Sequence, residues 1–542
     1  MSVRITLAGV LLGLACSIAG ATERHVDPAN AAAADMGEGS ITAPFRSLKY
    51  AMSRLQPGDH LVIAAGTYRD ALVFPERNWG TANTVVEGQG TVLVKGSDLV
   101  DGWKPLGQGR YVREWPQEAA QVYAGGKPLQ QIGGTLFDGY PEKAGHPLQA
   151  LHRSQGGIWP GRKAGDESSL PPGSFYYNAD RKSLFIRLFA ESDAPERIEV
   201  STRPYLMFGK GLSNVTVRNL AFAHGNTSPK IRGGLVTLMG NKITVDTIGV
   251  SLADSIGIHL AGDDITMSHS SANACGQLGL SARGRRMRLV DNETSGNNTR
   301  GFNKWWEAGG AKFVGDGGLQ DSVVSGHKAF ANNGDGIWFD WKNHNNRLEN
   351  SIAAYNTGMG IQYEASTGAV ITGNVVVGNA QRGIYLPHSS DSEISRNVVA
   401  ANGMQGIVIM DEGAKDPQGT TDFRPRANRV FGNVVAWNVA ALYFPAELSD
   451  NRSDSNFYLG SAQQNRFSLG WPRRGSDRLP EWVDHTGQDR HSRSVEALPD
   501  AAFMESVAKR SRNPDLEWVK SSGASATLRT QTAGLADPGA SR

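Results

Sequence analysis

Two acidic side chains, Asp340 and Glu364, occupy equivalent positions in successive units of an internal repeat. Each lies four residues after the glycine of a Gly-Ile pair, in the runs GIWFD and GIQYE. If these runs are stacked β-strands, the two acids lie on neighbouring strands about 4.8 Å apart. Carboxyl groups separated by about 5 to 5.5 Å are typical of the nucleophile and acid/base of a retaining glycosidase. Two acids this close also raise one pKa, which favours one charged and one protonated group.

The residues around this pair are of the types that bind sugars. Tryptophans flank Asp340, and the segment 298–309 supplies two more beside an acid; exposed indole faces suit the C–H surfaces of sugars. The other candidates carry groups that can bind hydroxyls. The sequence therefore predicts these substrate-binding residues: Trp305, Trp306, Glu307, Lys312, Trp338, Trp341, Gln362, Tyr385 and His388. The alternative is that Asp340 and Glu364 are ordinary solvated acids on an outer wall, and the aromatic neighbours favour a site.

The repeat that positions these residues has a period of 23 to 24 residues. Gly-Ile pairs begin at residues 336, 360, 383 and 406, and each opens a short run of alternating apolar residues. Such a period with strand-like runs predicts a parallel β-solenoid, in which Ile337 and Phe339 face inward and Trp338 and Asp340 face outward. An asparagine lies four residues before each glycine, and we expect these stacked amides to satisfy backbone groups at a turn.

The repeat also divides the chain into segments. We predict a signal peptide at 1–21, an N-terminal cap with the first coils at 22–95, an inserted antiparallel β-domain at 96–205, the main β-helix at 206–460, and a partly disordered C-terminal segment at 461–542. The first segment has Arg4, an apolar run at 7–18 and small residues at 19–21, which predicts a secreted or periplasmic protein. A helical stretch at 45–55 is expected to cover the open end of the first coil.

Composition excludes several classes of protein. The 542-residue chain has a net charge of +2 and two cysteines, which argues against nucleic-acid binding and against a disulfide framework. The apolar run at 7–18 is too short to predict a membrane span. We predict a carbohydrate partner and no cofactor, although turn acids on a β-solenoid wall can bind structural calcium. The sequence predicts no particular oligomeric state.

Two blocks of sequence resemble a known family. The opening DPAN…GS…TAPFRSLKYA…QPGD…AAGTY is similar to that of bacterial secreted right-handed parallel β-helix proteins of the pectate-lyase-like superfamily. The block WWEAGGAKF…NNGDGIWFDWKNHNNRLENSIAAYNTGMGIQYEAS resembles β-helix glycoside hydrolases such as the family 120 β-xylosidases. The resemblance covers most of residues 25–445. It implies an all-β, right-handed parallel β-helix in which Asp340 is the nucleophile and Glu364 the acid/base.

Two other functions remain open on the same scaffold. A polysaccharide lyase or uronan epimerase needs a base and a cation that neutralises the substrate carboxylate, for which Lys312, Arg382 and His388 are candidates. The Asp-Pro-His-Asp signature of alginate epimerases is missing, since residues 340–343 read Asp-Trp-Lys-Asn. The third possibility is a glycan-binding wall without catalysis.

Overall fold

The computed structural model describes residues 22–133, 165–227, 233–470, 477–499 and 505. Most regular structure in these residues is β-strand, and most strands pair in parallel with the strand one coil further along the chain. The predicted parallel β-helix is therefore confirmed. The proposed signal peptide at 1–21 and most of the chain after residue 499 lie outside the described residues.

Three ladders of parallel strands build the coils. The ladder that carries the two acids, which we call the site sheet, continues after residue 255 through the strands Ile256–Ala261, Leu278–Arg285, Gly309–Phe313, Asp335–Asp340, Ile361–Glu364, Ile384–Pro387, Gln405–Met410, Ala440–Phe444 and Phe467–Leu469. The second ladder contains Thr266–Ser268, Arg288–Val290, Val323–Ser325, Arg347–Glu349, Val370–Thr372, Glu393–Ser395, Arg429–Phe431 and Arg452–Asp454. The third contains Ser271–Asn273, Glu293–Ser295, Lys328–Phe330, Ile352–Ala354, Val375–Val377, Val398–Ala400, Val434–Ala436, Phe457–Gly460 and Arg493–Glu496.

The earlier coils contain both short strands and strands of 9 to 20 residues, several of which run through more than one ladder. They are Glu23–Val26, His60–Tyr68, Leu72–Val73, Thr84–Lys95, Met207–Gly225 and Gly234–Ala253. A further short strand, Leu319–Gln320, pairs with the end of Leu278–Arg285. The apolar core runs along the inside of all these coils.

Close approach between coils explains why glycine recurs before each isoleucine of the site sheet. A Cβ atom added to Gly336 would lie 2.6 Å from the Gly360 carbonyl oxygen and 2.7 Å from Asn356 Nδ2. Neither contact leaves room for a side chain. The glycine repeat is thus a packing requirement of the stacked coils.

The asparagine column forms the predicted ladder of amides. Asn332 Nδ2 donates to Asn356 Oδ1 at 2.9 Å, Asn356 Nδ2 to Asn379 Oδ1 at 2.8 Å, and the next step repeats this to Asn402 at 2.9 Å. The same Asn356 oxygen accepts the backbone N–H of Asn332 at 3.1 Å. Each amide therefore satisfies buried backbone of its neighbour, which confirms the structural interpretation of this column.

A short helix covers each end of the core. The helix Leu48–Arg54 begins after Ser47, whose hydroxyl accepts from the Tyr50 backbone N–H, and it buries Leu48, Ala51 and Met52. The helix Leu479–Thr486 buries Trp482, whose ring centroid lies 5.8 Å from that of Phe467. The sequence repeat fades after residue 460, so neither this helix nor the strands Phe467–Leu469 and Arg493–Glu496 were expected.

Between Thr84–Lys95 and Met207–Gly225, the residues that the structure describes form two mostly antiparallel sheets and one turn of 3₁₀ helix, Glu167–Ser169. The five-stranded sheet is ordered Gln130–Gln131, Ser174–Asn178, Ser183–Arg187, Arg110–Glu114 and Lys104–Gly107. The four-stranded sheet is ordered Ser97–Val100, Ile198–Ser201, Val122–Ala124 and Lys127–Pro128. An ion pair and a buried hydrogen bond join these sheets to the β-helix: Glu199 accepts from Lys95 at 2.9 Å, and Arg300 donates to the neutral amide of Gln131 at 2.5 Å.

Candidate active site

The register of two neighbouring strands places the two acids side by side. In the strands Asp335–Asp340 and Ile361–Glu364, Ile337 pairs with Ile361 and Asp340 pairs with Glu364. Ile337 and Ile361 are buried in the core, so the strand pleat turns Asp340 and Glu364 to the outer surface. Paired residues on adjacent parallel strands are about 4.8 Å apart, so the two acidic side chains leave the sheet one strand step from each other.

Asp340 is held by a buried lysine from the preceding coil. Lys312 Nζ lies 2.9 Å from Asp340 Oδ2, and the lysine side chain is 5% exposed. The same ammonium donates to the Trp306 carbonyl oxygen and lies 3.2 Å from the centre of the Trp338 ring. Because the ammonium is fixed by three partners, the Asp340 carboxylate has both a compensating charge and a defined orientation.

Glu364 has uncharged partners instead. Trp338 Nε1 donates to Glu364 Oε2 at 3.0 Å, and Gln362 Nε2 donates to the same oxygen at 2.6 Å. Burial and, second, the charge of Asp340 raise the pKa of Glu364 to about 7, although Lys312 and the two donors oppose this rise. At neutral pH a large share of Glu364 is therefore protonated, whereas Asp340 has a cation beside it.

Both acids open into a cleft of about 500 Å³ on the site sheet. Its lining residues are Ile256, His259, Ser281, Arg283, Trp305, Trp306, Glu307, Lys312, Val314, Gly315, Trp338, Asp340, Trp341 and Glu364. The Trp305 and Trp306 side chains are about half exposed, and they form the apolar wall of this cleft. Trp341 packs edge-on against Phe423, with ring centroids 5.0 Å apart. The volume and the mixed apolar and polar lining are typical of a small-molecule site.

Three residues predicted to bind substrate contact the acids, and two of them, Lys312 and Trp338, also line the cleft. Trp338 was expected to be an exposed platform, but it is only 5% exposed and its ring face is covered by the Lys312 ammonium. Lys312 and Gln362 were expected to bind sugar hydroxyls, but the nitrogen atoms of their side chains contact Asp340 and Glu364, respectively. Lys312 and Trp338 reach their acids across one strand step, whereas Gln362 lies on the same strand as Glu364, two residues before it and on the same face.

Tyr385 and His388 do not line the cleft. Tyr385 donates its hydroxyl to Glu412 Oε1 at 2.6 Å, and His388 Nδ1 lies 3.6 Å from an Asp411 carboxylate oxygen. Both residues are nearly buried, and Arg382 lies over the Tyr385 ring at 4.3 Å. The segment 411–425, which interrupts the repeat, supplies these acidic partners and limits the cleft beyond Glu364.

Sequence analysis missed three residues at the other end of the cleft. His259, Ser281 and Arg283 lie on the two coils before Lys312 and contribute to the lining. His259 pairs in register with Ser281, and Ser281 pairs with Lys312, so these three residues occupy equivalent positions on successive coils. Extending the repeat from Lys312 toward the N-terminus would have identified Ser281 and His259.

Asp335 is a second acid of the strand that carries Asp340. It is buried and accepts the Met359 backbone N–H at 2.7 Å. Burial raises the pKa of Asp335 to about 7. It does not line the cleft, so its contacts are structural.

Within the residues that the structure describes, no group of three or more His, Cys, Asp or Glu side chains could hold a metal ion. None of the helices in the same ranges is long and apolar enough to cross a membrane.

Comparison with known proteins gives one family match and several structural matches. The model of a family described as periplasmic copper-binding protein (NosD) matches residues 239–452, a span that contains no metal-ligand group of the kind above. A search of curated proteins gives no match.

Among solved structures, one of XylC in complex with xylose is 12% identical, with a TM-score of 0.59, and covers 88% of this chain and 86% of that chain. A glycoside hydrolase is 11% identical with a TM-score of 0.48, covering 86% of this chain and all of that chain. The A-module of the mannuronan C-5 epimerase AlgE6 of Azotobacter vinelandii is 13% identical with a TM-score of 0.43, covering 82% and 92%. At these identities the match to XylC shows a shared fold, and that fold is the parallel β-helix.

Proposed function

We propose that this protein is a carbohydrate-active enzyme, and specifically a retaining glycoside hydrolase. The observation that carries the proposal is the pair Asp340 and Glu364, which are in register on adjacent strands but have different environments. A spacing of one strand step matches the separation of about 5 to 5.5 Å in retaining enzymes and is shorter than the separation of about 6.5 to 9.5 Å in inverting ones.

Each acid has the environment that its role requires. Asp340, beside Lys312, attacks the anomeric carbon as a carboxylate and forms a glycosyl ester while the bond to the leaving oxygen breaks. Glu364, whose pKa is near 7, donates its proton to that leaving oxygen. In the second step Glu364 takes a proton from water, which attacks the anomeric carbon and releases Asp340. The sugar ring stacks on the half-exposed indoles of Trp305 and Trp306.

The test is a panel of chromogenic aryl glycosides, beginning with the β-xyloside because the XylC structure contains xylose. We expect hydrolysis of at least one glycoside with retention of configuration, read by proton NMR of the first product. Asp340→Ala should lower kcat/KM for the aryl glycoside by at least about a thousandfold, and Glu364→Ala should do the same for an alkyl glycoside, whose poor leaving group must be protonated. Both variants should keep the melting temperature of the unsubstituted protein. Inversion, or full activity in either variant, contradicts the proposal.

Azide rescue distinguishes the proposed nucleophile, Asp340, from the proposed acid/base, Glu364. Added to Glu364→Ala, azide attacks the glycosyl ester and should give a glycosyl azide of retained configuration. Added to Asp340→Ala, it replaces the missing nucleophile and should give the inverted azide. The opposite pattern would exchange the assignments of Asp340 and Glu364.

Lyase or epimerase chemistry has less support in this site. Of the three candidate cations, Lys312 is bound to Asp340, Arg382 covers Tyr385, and His388 is buried beside Asp411. None of these three residues is an unpaired cation that faces the cleft and could neutralise a substrate carboxylate. Uronic polymers in the same panel, read at the ultraviolet absorbance of an unsaturated product, test this alternative, and binding without turnover would indicate a glycan-binding wall.

We also propose that the protein is exported, on the basis of residues 1–21 and the periplasmic description of the matching family. Fractionation of cells that express the full chain tests this. Recovery of the full-length protein from the cytoplasm alone contradicts it.

A further inference from the structure

The cleft extends well beyond the two acids in one direction. Successive register pairs join His259 to Ser281, Ser281 to Lys312, Lys312 to Trp338 and Trp338 to Gln362. These four steps, at about 4.8 Å each, give a length of about 19 Å along the β-helix. A pyranose ring is about as long as one step, so a single sugar at Asp340 and Glu364 leaves room for about three more.

The opposite direction is closed. Beyond Glu364, the outward residues Tyr385 and Met410 are 3% and 6% exposed, and Glu412 of the segment 411–425 bonds the tyrosine hydroxyl. Trp341 is covered on one edge by Phe423 of the same segment. The acids therefore lie at one end of the cleft, and an extended ligand must lie toward His259.

The far end carries polar groups suited to uncharged sugar hydroxyls. His259 Nδ1 lies 3.2 Å from Ser281 Oγ, and burial, followed by the charge of Arg283, lowers the pKa of His259 to about 4, so the imidazole is neutral. Arg283 Nη1 pairs with Asp316 Oδ2 at 3.0 Å, which compensates its charge but leaves further N–H donors. Neutral imidazole, hydroxyl and guanidinium donors together bind hydroxyl groups without requiring a charged substituent.

We propose that His259, Ser281 and Arg283 form a distal subsite that binds the hydroxyls of a linear, uncharged oligosaccharide of at least three sugar units. This inference rests on the proposed function, because it assumes that the reacting sugar lies at Asp340 and Glu364. It assigns the substrate as a chain of sugars, with most of its length on the side of the cleft away from segment 411–425.

The experiment compares three substrates of the intact protein. They are the aryl monoglycoside that the chromogenic panel identifies and the linear di- and tetrasaccharides of the same sugar and linkage. We expect kcat/KM for the tetrasaccharide to exceed that for the disaccharide by at least tenfold. In Arg283→Gln, the ratio of kcat/KM for the tetrasaccharide to that for the monoglycoside should fall at least about tenfold, since a lost bond to a charged donor costs about 1.5 to 3 kcal/mol. Ser281→Ala should lower the same ratio less.

Arg286→Gln is the matched control. Arg286 lies three residues further along, pairs with Asp264 at 2.8 Å, and does not line the cleft, so the ratio should remain that of the unsubstituted protein. The distal subsite is overturned if kcat/KM is equal for the di- and tetrasaccharide. It is also overturned if neither Arg283→Gln nor Ser281→Ala changes the ratio of kcat/KM for the tetrasaccharide to that for the monoglycoside. Either result leaves glycosidase activity established. Absence of hydrolysis of every glycoside overturns the proposed function instead.

Discussion

The effect of Asp340 on the pKa of Glu364 can be measured by removing the charge of Asp340. Asp340→Asn keeps the shape of the side chain but deletes the second-largest cause of the raised pKa of Glu364. Two unit charges about 5 Å apart interact by about 3 kcal/mol at an effective dielectric constant near 20, which corresponds to about 2 pKa units. Lys312 lies 2.9 Å from Asp340 and cancels part of this effect. We therefore expect the pKa of Glu364 to fall by about 1 to 2 units, with the remaining elevation caused by burial.

The assay is a carbon-13 NMR titration of carboxyl-labelled glutamate, in which Glu364→Gln identifies the Glu364 signal. Lys312→Met provides a control of opposite sign, because loss of the ammonium removes a cause that lowers the pKa of Glu364, and this pKa should rise above about 7. A pKa of Glu364 that is unchanged or higher in Asp340→Asn would refute the coupling. It would also remove the negative charge of Asp340 as a cause of the raised pKa of Glu364.

Three further results are expected. Hydrolysis should fall about tenfold per pH unit above about pH 7, because the first step needs protonated Glu364, and a pH profile of kcat/KM that stays flat to pH 9 contradicts this. Asn356→Ala should lower the free energy of unfolding by about 2 to 5 kcal/mol, because the Asn332 backbone N–H and the Ala329 carbonyl lose their buried partner. Denaturant unfolding measures this loss, and Asn333→Ala, at an exposed position, is the control. Trp482→Ala should cost about 3 to 5 kcal/mol in the same assay by uncovering the end of the core, and a loss below 1 kcal/mol would show that this helix is dispensable.

Periodicity predicted what is repeated in this chain and failed where the repeat is broken. Gly336 and Asn356 recur because stacked coils leave no space for a Cβ and bury backbone groups that need amides, so their spacing identifies the fold. The acids follow from the same register. The C-terminal cap around Trp482 is a single helix, outside any period, so nothing in the repeat indicates it.

Side-chain contacts across coils were harder to predict than the register. A column assignment shows that Trp338 and Lys312 face outward, but not that the ammonium lies on the indole ring and buries it. Tyr385 was placed in the correct column, yet the non-repeating segment 411–425 covers it through Glu412. Insertions of this kind reshape a regular wall locally, and a period measured over the remaining coils has no information about them.

The different roles proposed for the two acids follow from equivalent contacts made by two different residues. Lys312 and Trp338 occupy the same column on successive coils, and each contacts the acid that lies two residues further along on the next coil. For Asp340 that contact is an ammonium, which stabilises a carboxylate; for Glu364 it is a neutral indole N–H, which leaves burial and the nearby negative charge to favour the protonated form. A regular β-helix would give both acids equal surroundings. A difference of one residue type in one column is therefore sufficient to give the two acids different electrostatic environments, as the proposed mechanism requires.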